Sequence, residues 1–540
     1  MAPAEPPVDL LFRGGTIWAA EAGTPAPGAV AVGGGLVLAV GAEAEALADR
    51  ATEVVDLKGG ALLPAFGDGH AHPIFGGLAE RLAPIRHERS VEGVVRAVAR
   101  WADEHPDESW IRGDGYDPTL APGGVFDARW LDAAVTDRPV WLRASDYHTA
   151  WVNTRALELA GLTDATPQPP DGEVVRRHDG TVAGTLREWG AWSPVAAVAP
   201  PIAPQVLVDS LLEAAVTYAR LGVTWVQDAW ADVESVDTWL AAAATGRLTV
   251  RGNLALLLST ASWVADLETA AAQRDRVADH GRGLVTAHTV KLFADGVIEA
   301  GTAALLEPYD DCPHSKGLPN WAWEDLTQAV VAADALGLQV HIHAIGDAGV
   351  HAALDAVEAA AHGNGARDRR PVIAHAQLVH PRDLPRFAEL GVVANFEPLW
   401  ACRDELMTTL TEPRLGPARS ALQYPIASLL RSGHVSFGSD WPVSSADPRA
   451  GIAVAVKREV PGSRPGAGWL PHERLRVAEA VHAYTAGVAY QAFDEDRWGQ
   501  IRPGARADLV WLGADPRAVA PHELPDVAIR GTWLAGRRTA

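Results

Sequence analysis

Cysteine is nearly absent from the sequence, and this excludes a fold held together by disulfides. The 540 residues include two cysteines, Cys312 and Cys402, which lie far apart and do not have the spacing of paired metal ligands. A reducing cytoplasm is therefore the expected compartment. Lysine is also scarce, with four residues at positions 58, 291, 316 and 457. A lysine inside an apolar segment, as at position 291, therefore stands out.

Long apolar runs and a surplus of positive charge are absent as well. No run of about 18 uncharged apolar residues occurs, which excludes a membrane-spanning helix. The first 15 residues lack the basic and then apolar pattern of a secretory leader. The formal net charge of −22 repels nucleic acids and anionic membranes. These features predict a soluble protein whose partner is a small molecule.

The two ends of the chain share one pattern. The first 60 and the last 45 residues contain short apolar runs separated by glycine turns, such as GAVAVGGGLVLAVG and GQIRPGARADLVWLG. Such runs are typical of strands, and a chain of this length needs more than one core, because single cores rarely exceed about 250–300 residues. We predict one small sheet domain built from residues 1–63 and 491–540, with a large domain formed by residues 64–490 between them.

The large domain alternates short apolar runs with alanine-rich helical segments. Eight such runs occur, which predicts an α/β fold with a parallel sheet and favours a (β/α)₈ TIM barrel. A long gap at about residues 75–220 separates the first two runs, and we interpret it as an insertion that covers the mouth of the barrel. The eight runs are ALLPAFGDGH, GVTWVQDAW, LTVRGNLALLLS, LVTAHTVKLFADG, LQVHIHAIGD, RPVIAHAQ, VVANFE and HVSFGSD.

Metal-binding residue types stand at the ends of five of these runs, where barrel enzymes build their active sites. His70 and His72 share one face of the first strand, so both rings can bind one ion. His343 lies nearer the site than His341, for which a hydrogen-bonded core histidine is the favoured interpretation. This order of ligands predicts a metal site at the mouth of the barrel, formed by His70, His72, Lys291, His343, His375 and Asp440.

The motifs GDGHAHP, KLFADG, VHIHAIGD and GSDWPV, with the strand-rich ends, resemble those of the amidohydrolase superfamily. Within it, they resemble amidohydrolase family 3, which includes YtcJ-like proteins and N-substituted formamide deformylases. The resemblance covers nearly the whole chain. It implies a distorted (β/α)₈ barrel with a β-sandwich formed from both ends, in agreement with the pattern of the residues.

The resemblance also implies a role for each ligand. His70 and His72 would bind the more buried metal, and Asp440 would complete that site. Lys291 would be carboxylated and bridge two metals, and His343 and His375 would hold the second ion. The cofactor is expected to be one or two divalent cations, with zinc as the first choice. A homodimer is expected, because relatives are often dimers.

The expected reaction is hydrolysis of a C–N bond of an amide or formamide that is not a peptide bond. The metal activates water, and Asp440 serves as the general acid and base. Hydrolysis of esters, lactones or carbamates by the same centre is the first alternative, and a binding protein that keeps the fold is the second. Only a panel of substrates separates the two kinds of hydrolase.

Four further residues are predicted to contact the substrate. Tyr116 and His148 lie in segments that reach over the site in the family. Glu397, where many relatives carry glutamine, suits a cationic or hydrogen-bond-donating substrate, with a rim carboxylate paired to an arginine as the equal alternative. Trp400, together with Trp441, suggests an aromatic-lined cavity. Glu299 and Thr302, just after KLFADG, are weaker candidates.

Overall fold

The computed structural model describes residues 7–19, 26–464 and 466–540. Residues 1–6, which belong to the predicted N-terminal domain and to the segment without a leader pattern, lie outside the described residues. Three β-sheets organise the described part of the chain. No helix in that part combines the length and the apolar character needed to cross a bilayer.

The strands run in chain order as β1 (Val8–Ile17), β2 (Ala26–Gly33), β3 (Leu36–Val40), β4 (Ala51–Asp56), β5 (Ala61–Pro64), β6 (Phe66–Ala71), β7 (Ile111–Tyr116), β8 (Val140–Ala144), β9 (Thr149–Val152), β10 (Glu173–Arg176), β11 (Val182–Arg187), β12 (Val223–Ala231), β13 (Arg251–Leu257), β14 (Val285–Phe293), β15 (Gln339–Ala344), β16 (Val372–His375), β17 (Val393–Phe396), β18 (His434–Phe437), β19 (Leu509–Leu512), β20 (Ile529–Leu534) and β21 (Arg537–Arg538).

The helices run in chain order as α1 (Ala42–Glu45), α2 (Pro73–Ala79), α3 (Val91–Glu104), α4 (Ala128–Asp132), α5 (Thr154–Leu159), α6 (Trp189–Val198), α7 (Pro204–Arg220), α8 (Val233–Ala244), α9 (Trp263–His280), α10 (Trp323–Ala335), α11 (Asp347–Asn364), α12 (Leu384–Glu389), α13 (Glu412–Ser420), α14 (Ile426–Leu430), α15 (Pro448–Lys457), α16 (Val477–Tyr484) and α17 (Ala486–Gln491).

Strands from both ends of the chain form one sheet, as the sequence predicts. β1 pairs with β2 on one side and with β4 and β5 on the other. β5 in turn pairs with β19, so the two termini are joined by main-chain hydrogen bonds. Their side chains also share a core, in which the ring of Phe12 packs edge-on against Trp533 with centroids 4.9 Å apart.

Eight parallel strands form the barrel sheet in the order β6, β12, β13, β14, β15, β16, β17, β18. Each coincides with one of the eight runs predicted as strands, which confirms the distorted (β/α)₈ barrel. β18 lies against β6, and just past its end the backbone N–H of Asp440 donates to the carbonyl oxygen of His70 at 2.7 Å. The ends of the first and last strands therefore meet at the mouth of the barrel.

Alternating side chains along each barrel strand divide the apolar core from the polar interior. Val290 and Leu292 face the surrounding helices, whereas Thr289 and Lys291 lie on the inward face of β14. Deep in the barrel, Thr289 accepts a hydrogen bond from Asn253 (2.7 Å) and donates one to Gln339 (2.8 Å). This polar layer fills the barrel below the site, so the site opens only toward the mouth.

The predicted insertion folds into a sheet of its own, in the order β10, β11, β9, β8, β7. Its helices α3 to α6 pack on this sheet around two separate apolar clusters. The segment between β8 and β9, and the residues that follow β11, reach the mouth of the barrel. They bring His148, Glu188 and Trp189 next to the barrel residues described below.

Candidate metal centre and active site

Three residues from the ends of three barrel strands meet at one point. Ligand atoms of His70, His375 and Asp440 all lie within 4.8 Å of one another. All three side chains are buried, with His70 and His375 about 1% exposed. His375 and Asp440 both adopt positive φ angles, 72° and 51°. Such strained backbone in non-glycine residues is concentrated at functional sites.

Gly438 allows β18 to approach β6 closely enough to form this cluster. A Cβ atom at this position would lie 2.7 Å from the backbone nitrogen of His70 and 2.8 Å from its Cβ. Asp68 stabilises the contact between β6 and β18. Its carboxylate accepts hydrogen bonds from the backbone N–H (2.9 Å) and the hydroxyl (2.5 Å) of Ser439. Asp440 follows directly and is thus placed beside His70.

His72 belongs to the same group through Asp440. Its Nε2 lies 3.0 Å from Oδ1 of Asp440, and Nε2 of His70 lies 3.7 Å from that same oxygen. Burial opposes ionisation of Asp440, but the hydrogen bond and charge of His72, with His375 and Lys291, hold the pKa of Asp440 below its usual value. Asp440 is therefore a carboxylate at neutral pH.

Two buried side chains orient the histidines of the cluster. Nε2 of His341 lies 2.8 Å from Nδ1 of His70 and shares a hydrogen bond with it. Nδ1 of His375 lies 2.8 Å from Oε2 of Glu397. In both cases Nδ1 is occupied and Nε2 is left for a ligand, which is the usual arrangement around metal-binding histidines. His341 is thus a hydrogen-bonded core residue, as the sequence favours.

The structure places Glu397 away from the cavities. The residue is 1% exposed and is not among the residues that line a cavity at the site. It does not pair with an arginine at the rim either, which was the alternative, because its partner is His375. In this structure Glu397 contacts His375, and its contact with a substrate stays a prediction.

Lys291 lies on the inward face of β14 with its side chain fully buried. No hydrogen-bond partner of Nζ occurs among the described residues, and Nζ lies 4.4 Å from the centroid of the Phe293 ring. Burial lowers the pKa of Lys291 to about 7, although Asp440 and Glu397 oppose this shift. A buried amine without a partner is costly, so this position is suited to a lysine that gains one when a ligand is present.

His343 lies near the end of β15, next to His375. The two rings have centroids 4.5 Å apart, and Nε2 of His343 lies 3.2 Å from the carbonyl oxygen of Gly296. Burial lowers the pKa values of the histidines at the centre, His375 to about 3 and His70 and His343 well below the usual value. All are neutral near pH 7, and a neutral imidazole is the form that binds a metal.

A cavity of about 530 Å³, here called the large cavity, opens onto this centre. Its wall combines apolar side chains with several carboxylates, and Trp400 stacks on the His375 ring within it, with centroids 5.3 Å apart. The lining residues are Asp117, Ser145, Asp146, His148, Val297, Glu299, His343, Ile345, Gln377, Leu399, Trp400, Asp404, Glu405, Leu406, Met407, Thr411, Tyr424, Asp440, Val443, Ser444 and Val460.

A second space of about 30 Å³, the small cavity, lies between the metal-binding residues and the insertion. Aromatic rings form much of its wall, and Trp230 contacts both Trp189 and Phe293, with centroids 4.2 and 5.6 Å apart. Arg143 also lines it, but its guanidinium is bound by both carboxylate oxygens of Asp114 at 2.8 and 2.6 Å. The small cavity therefore accepts only a compact group.

His148 of the insertion lines both cavities, and its contact with a substrate stays a prediction. Its Nδ1 lies 2.8 Å from Oε2 of Glu188, and Glu188 accepts a hydrogen bond from the hydroxyl of Thr302 at 2.5 Å. Burial alone would lower the pKa of His148, but the charge and hydrogen bond of Glu188 raise it to about 9. An imidazolium is thus held beside His343, with ring centroids 5.1 Å apart.

Besides Glu397, the predicted residues Tyr116 and Trp441 are not brought to the cavities. Tyr116 is fully buried in the core of the insertion, where its ring packs against Phe126 and Trp151 with centroids 4.7 and 5.8 Å apart. Trp441 packs edge-on against Tyr218 instead of lining either space. Thr302 does not line either cavity, and its hydroxyl is connected to the site by its hydrogen bond to Glu188.

The sequence-based reasoning missed Glu188 and Asp295. Asp295 is part of the motif KLFADG and was given no role; its carboxylate accepts from the backbone N–H groups of Ala304, Ile345 and Gly346 at 2.8 to 3.0 Å, which fixes the loops after β14 and β15. That motif could have drawn attention to it. No pattern near Glu188 indicates that it faces His148, because this pairing depends on the fold of the insertion.

Comparisons with known proteins agree with this description. The model of the amidohydrolase family matches residues 53–540. The chain is similar to the protein LONG AFTER FAR-RED 3 of Arabidopsis thaliana, at 32% identity over 99% of this chain and 92% of the relative. It is also similar to the N-substituted formamide deformylase of Arthrobacter pascens, at 26% identity over 98% of this chain and 97% of the relative.

A solved structure shows the same fold. It is that of a metal-dependent hydrolase of Pyrococcus horikoshii, which matches with a TM-score of 0.74 and 25% identity. The match covers 95% of this chain and 99% of the other. The resemblance inferred from the motifs is therefore confirmed at the level of family and fold.

Proposed function

The chain belongs to the amidohydrolase family, and from this premise we propose that it is a metal-dependent hydrolase of non-peptide C–N bonds in amides or formamides. The observation that carries the proposal is the buried group of His70, His375 and Asp440, whose ligand atoms lie within 4.8 Å of one another at the edge of the large cavity. The similarity to the N-substituted formamide deformylase supports the choice of bond.

The residues at the centre fit a divalent cation. The histidines are neutral, Asp440 is an anion, and Lys291 is a buried amine without a partner among the described residues. In our proposal, one or two ions, with zinc as the first choice, are held by His70, His72, Lys291, His343, His375 and Asp440, and Lys291 is carboxylated. A cation held there supplies Lewis acidity, which lowers the pKa of water and polarises a carbonyl group.

Asp440 serves as the general acid and base in this proposal. Its Oδ1 lies 3.0 Å from His72, and its side chain lines both cavities, so it can reach a water molecule and the substrate nitrogen. The carboxylate takes the proton of the attacking water and passes it to the departing nitrogen. Positively charged His148 faces the same space and can donate a hydrogen bond to the oxygen on which negative charge develops.

The sizes of the two cavities suggest how the substrate is oriented. The small cavity, about 30 Å³ in volume, suits a compact acyl group such as formyl or acetyl. The large cavity, about 530 Å³ in volume, then receives the amine side. Both spaces touch His148, His343 and Asp440, so the bond to be cleaved would lie between these residues. Location in the cytoplasm and assembly as a homodimer stay predictions.

A hydrolysis panel on protein of measured metal content tests the proposal. The panel contains formamides, acetamides, longer N-acyl amines, carbamates, esters and lactones, each assayed with and without a chelator. We expect chelator-sensitive hydrolysis of formamides or acetamides, which fit the small cavity. We also expect Asp440→Asn to lower kcat by about 10²- to 10⁴-fold, the usual contribution of a general acid or base.

Two outcomes would contradict the proposal. Turnover of esters or lactones alone would assign the centre to a different bond. Hydrolysis that survives complete removal of the metal would separate the activity from the histidine cluster. Because Asp440 is also a proposed ligand, the metal content of Asp440→Asn is measured in parallel, and a variant that keeps its metal but loses turnover supports the proton-transfer role.

A further inference from the structure

Apart from His148 at the metal-binding end, the charged side chains in the wall of the large cavity are carboxylates. Besides Asp440, five carboxylates line it: Asp117, Asp146, Glu299, Asp404 and Glu405. Among the described residues that line this cavity, none is lysine or arginine. The histidines there, His148 and His343, lie at the metal-binding end. A pocket of this kind attracts cations and repels anions.

Among the described residues, these carboxylates have no cationic side chain in direct contact, although the charge of His148 acts on Asp146 and Glu299. None of the five lies within ion-pair distance of a lysine, arginine or histidine in the part of the chain that the structure describes. Arg414, a cation whose charge acts on Glu299, is paired with Asp311 at 3.3 Å. Burial and the charge of Asp146 raise the pKa of Glu299 to about 7, as expected for a carboxyl that lacks a cation.

A second feature of the cavity also fits a hydrogen-bond donor. Gln377 lines it and is 3% exposed. Its Nε2 donates to Oε1 of Gln423 at 2.9 Å, and the amide of Gln423 is oriented in turn by Met407. The polar atom that Gln377 has left for the cavity is its oxygen, which receives no hydrogen bond from the described residues. Such an acceptor can take a hydrogen bond from a ligand in the cavity.

We propose that the substrate carries a positively charged nitrogen on its amine side, and that the large cavity binds it through Glu299 and the neighbouring carboxylates. The substrate class is an amide or formamide of a diamine, in which one nitrogen is acylated and the other is a free ammonium group. The apolar part of the wall, with Ile345, Leu399 and Trp400, contacts the carbon chain between the two nitrogens. This inference rests on the proposed function and names its substrate.

The proposal also says which substrates are disfavoured. N-acyl amino acids carry a carboxylate on the amine side, and that group would meet the carboxylates of the wall with no lysine or arginine to bind it. Like-charge contacts of this kind suppress wrong partners. We therefore expect amides of diamines to be hydrolysed faster than N-acyl amino acids, although both contain the same kind of scissile bond.

The test compares three formamides of similar length that differ in terminal charge: N-formyl-1,4-diaminobutane, N-pentylformamide and N-formyl-4-aminobutyrate. We expect kcat/KM to be highest for the cation and lowest for the anion, with the cation about tenfold or more above the neutral compound. Glu299→Gln should lower the ratio of cation to neutral compound by about tenfold, mainly through KM. Glu268→Gln, an exposed glutamate on α9, is the matched control and should leave the ratio unchanged.

Hydrolysis of the neutral or anionic compound as efficiently as the cation would overturn the inference while leaving the proposed function intact. Calorimetric binding of 1,4-diaminobutane separates the two ideas when none of the formamides is hydrolysed. Binding that is lost in Glu299→Gln but kept in Glu268→Gln would support the cation site although the proposed reaction fails. Absence of binding to the metal-loaded protein would overturn the cation site.

Discussion

At the scale of single residues, hydrogen bonds determine which ring nitrogen of each histidine is free to bind a metal. His70 and His375 both use Nδ1 for a buried partner, His341 in one case and Glu397 in the other. Their Nε2 atoms are then left for a ligand next to Asp440. Burial and the charge of Asp440 raise the pKa of Glu397 well above its usual value. A cation at the site would favour the charged form of Glu397, which increases the basicity of the His375 ring.

Replacing Glu397 with glutamine tests this indirect role. The side chain keeps its length and an oxygen that can accept from Nδ1 of His375, but it can no longer become a carboxylate when a cation is bound. We expect the affinity for the metal to fall about 10- to 100-fold, the usual effect of losing a partner of a metal-binding histidine. Competition with a chelator of known affinity measures this change, and Glu268→Gln serves as the control.

A different result would restore the role predicted from the sequence. If Glu397→Gln bound metal like the unaltered protein and showed only a raised KM for a cationic substrate, Glu397 would contact the substrate. The structure argues against this outcome, because Glu397 is 1% exposed and is not among the residues that line the large cavity.

At the scale of strands and helices, the closure of the barrel determines the distance between the first and last ligands. β18 and β6 meet where Gly438 faces the backbone of His70. Asp440 follows two residues later, and its backbone N–H donates to the carbonyl oxygen of His70. A larger residue at position 438 would therefore push apart two ligands of the same proposed metal.

Gly438→Ala should thus weaken the site and the fold together. The added methyl group would lie 2.7 Å from a backbone nitrogen, which cannot move as a flexible side chain would. We expect a loss of about 1–3 kcal/mol in the free energy of unfolding, typical of overpacking, together with weaker metal binding. Chemical denaturation and the chelator competition measure the two effects.

The matched control is Gly433→Ala in the turn before the same strand. A Cβ atom there would have its nearest neighbour at 3.5 Å, an ordinary contact. Gly433→Ala should leave both metal binding and the free energy of unfolding close to those of the unaltered protein. Equal losses in the two variants would show that any alanine near β18 is harmful, and the argument from close approach would fail.

Most of the fold could be predicted from the sequence because its signals are local. Seven of the eight apolar runs end in small or polar residues. A strand period of two puts His70 and His72 on one face and Thr289 and Lys291 on another. The strands at the glycine-rich ends of the chain could be predicted equally well. The pairing of β5 with β19 confirms that both ends contribute to one sheet. These inferences need only neighbouring residues.

The parts that could not be predicted depend on contacts between distant segments. Whether Glu397 faces a substrate or His375 is decided by the rotation of β17 relative to β16, about which the sequence is silent. Tyr116 was predicted at the cavity because its segment reaches over the site, yet β7 turns its ring into the core of the insertion. The pair of His148 and Glu188 joins two strands, β9 and β11, that are separated by the hairpin of β10.

At the scale of the whole molecule, the net charge of −22 and the carboxylates of the large cavity act in the same direction. Charge spread over the surface raises the local concentration of cations, and a cleft with low-dielectric walls concentrates this effect. Screening by salt weakens it, because the Debye length falls from about 30 Å at 0.01 M to about 3 Å at 1 M.

The dependence of kcat/KM on ionic strength tests whether the negative potential of the protein attracts a cationic substrate. For N-formyl-1,4-diaminobutane we expect kcat/KM to fall about tenfold between about 20 mM and about 500 mM salt. For N-pentylformamide, which has no charge to be steered, the change should stay within about twofold. A parallel decline for both compounds would mean that salt acts on the protein or its metal and not on the approach of a cation.

Two variants then separate the contribution of the cavity from that of the whole surface. At a pH well above 7, the approximate pKa of Glu299, both Glu268→Gln and Glu299→Gln remove one negative charge, but only Glu299 lines the large cavity. If the field of the cavity dominates, Glu299→Gln flattens the salt dependence for the cationic formamide and Glu268→Gln leaves it as it was. If both variants flatten the salt dependence equally, the overall charge of the protein attracts the cation. The carboxylates of the cavity then contribute no more than other surface charges.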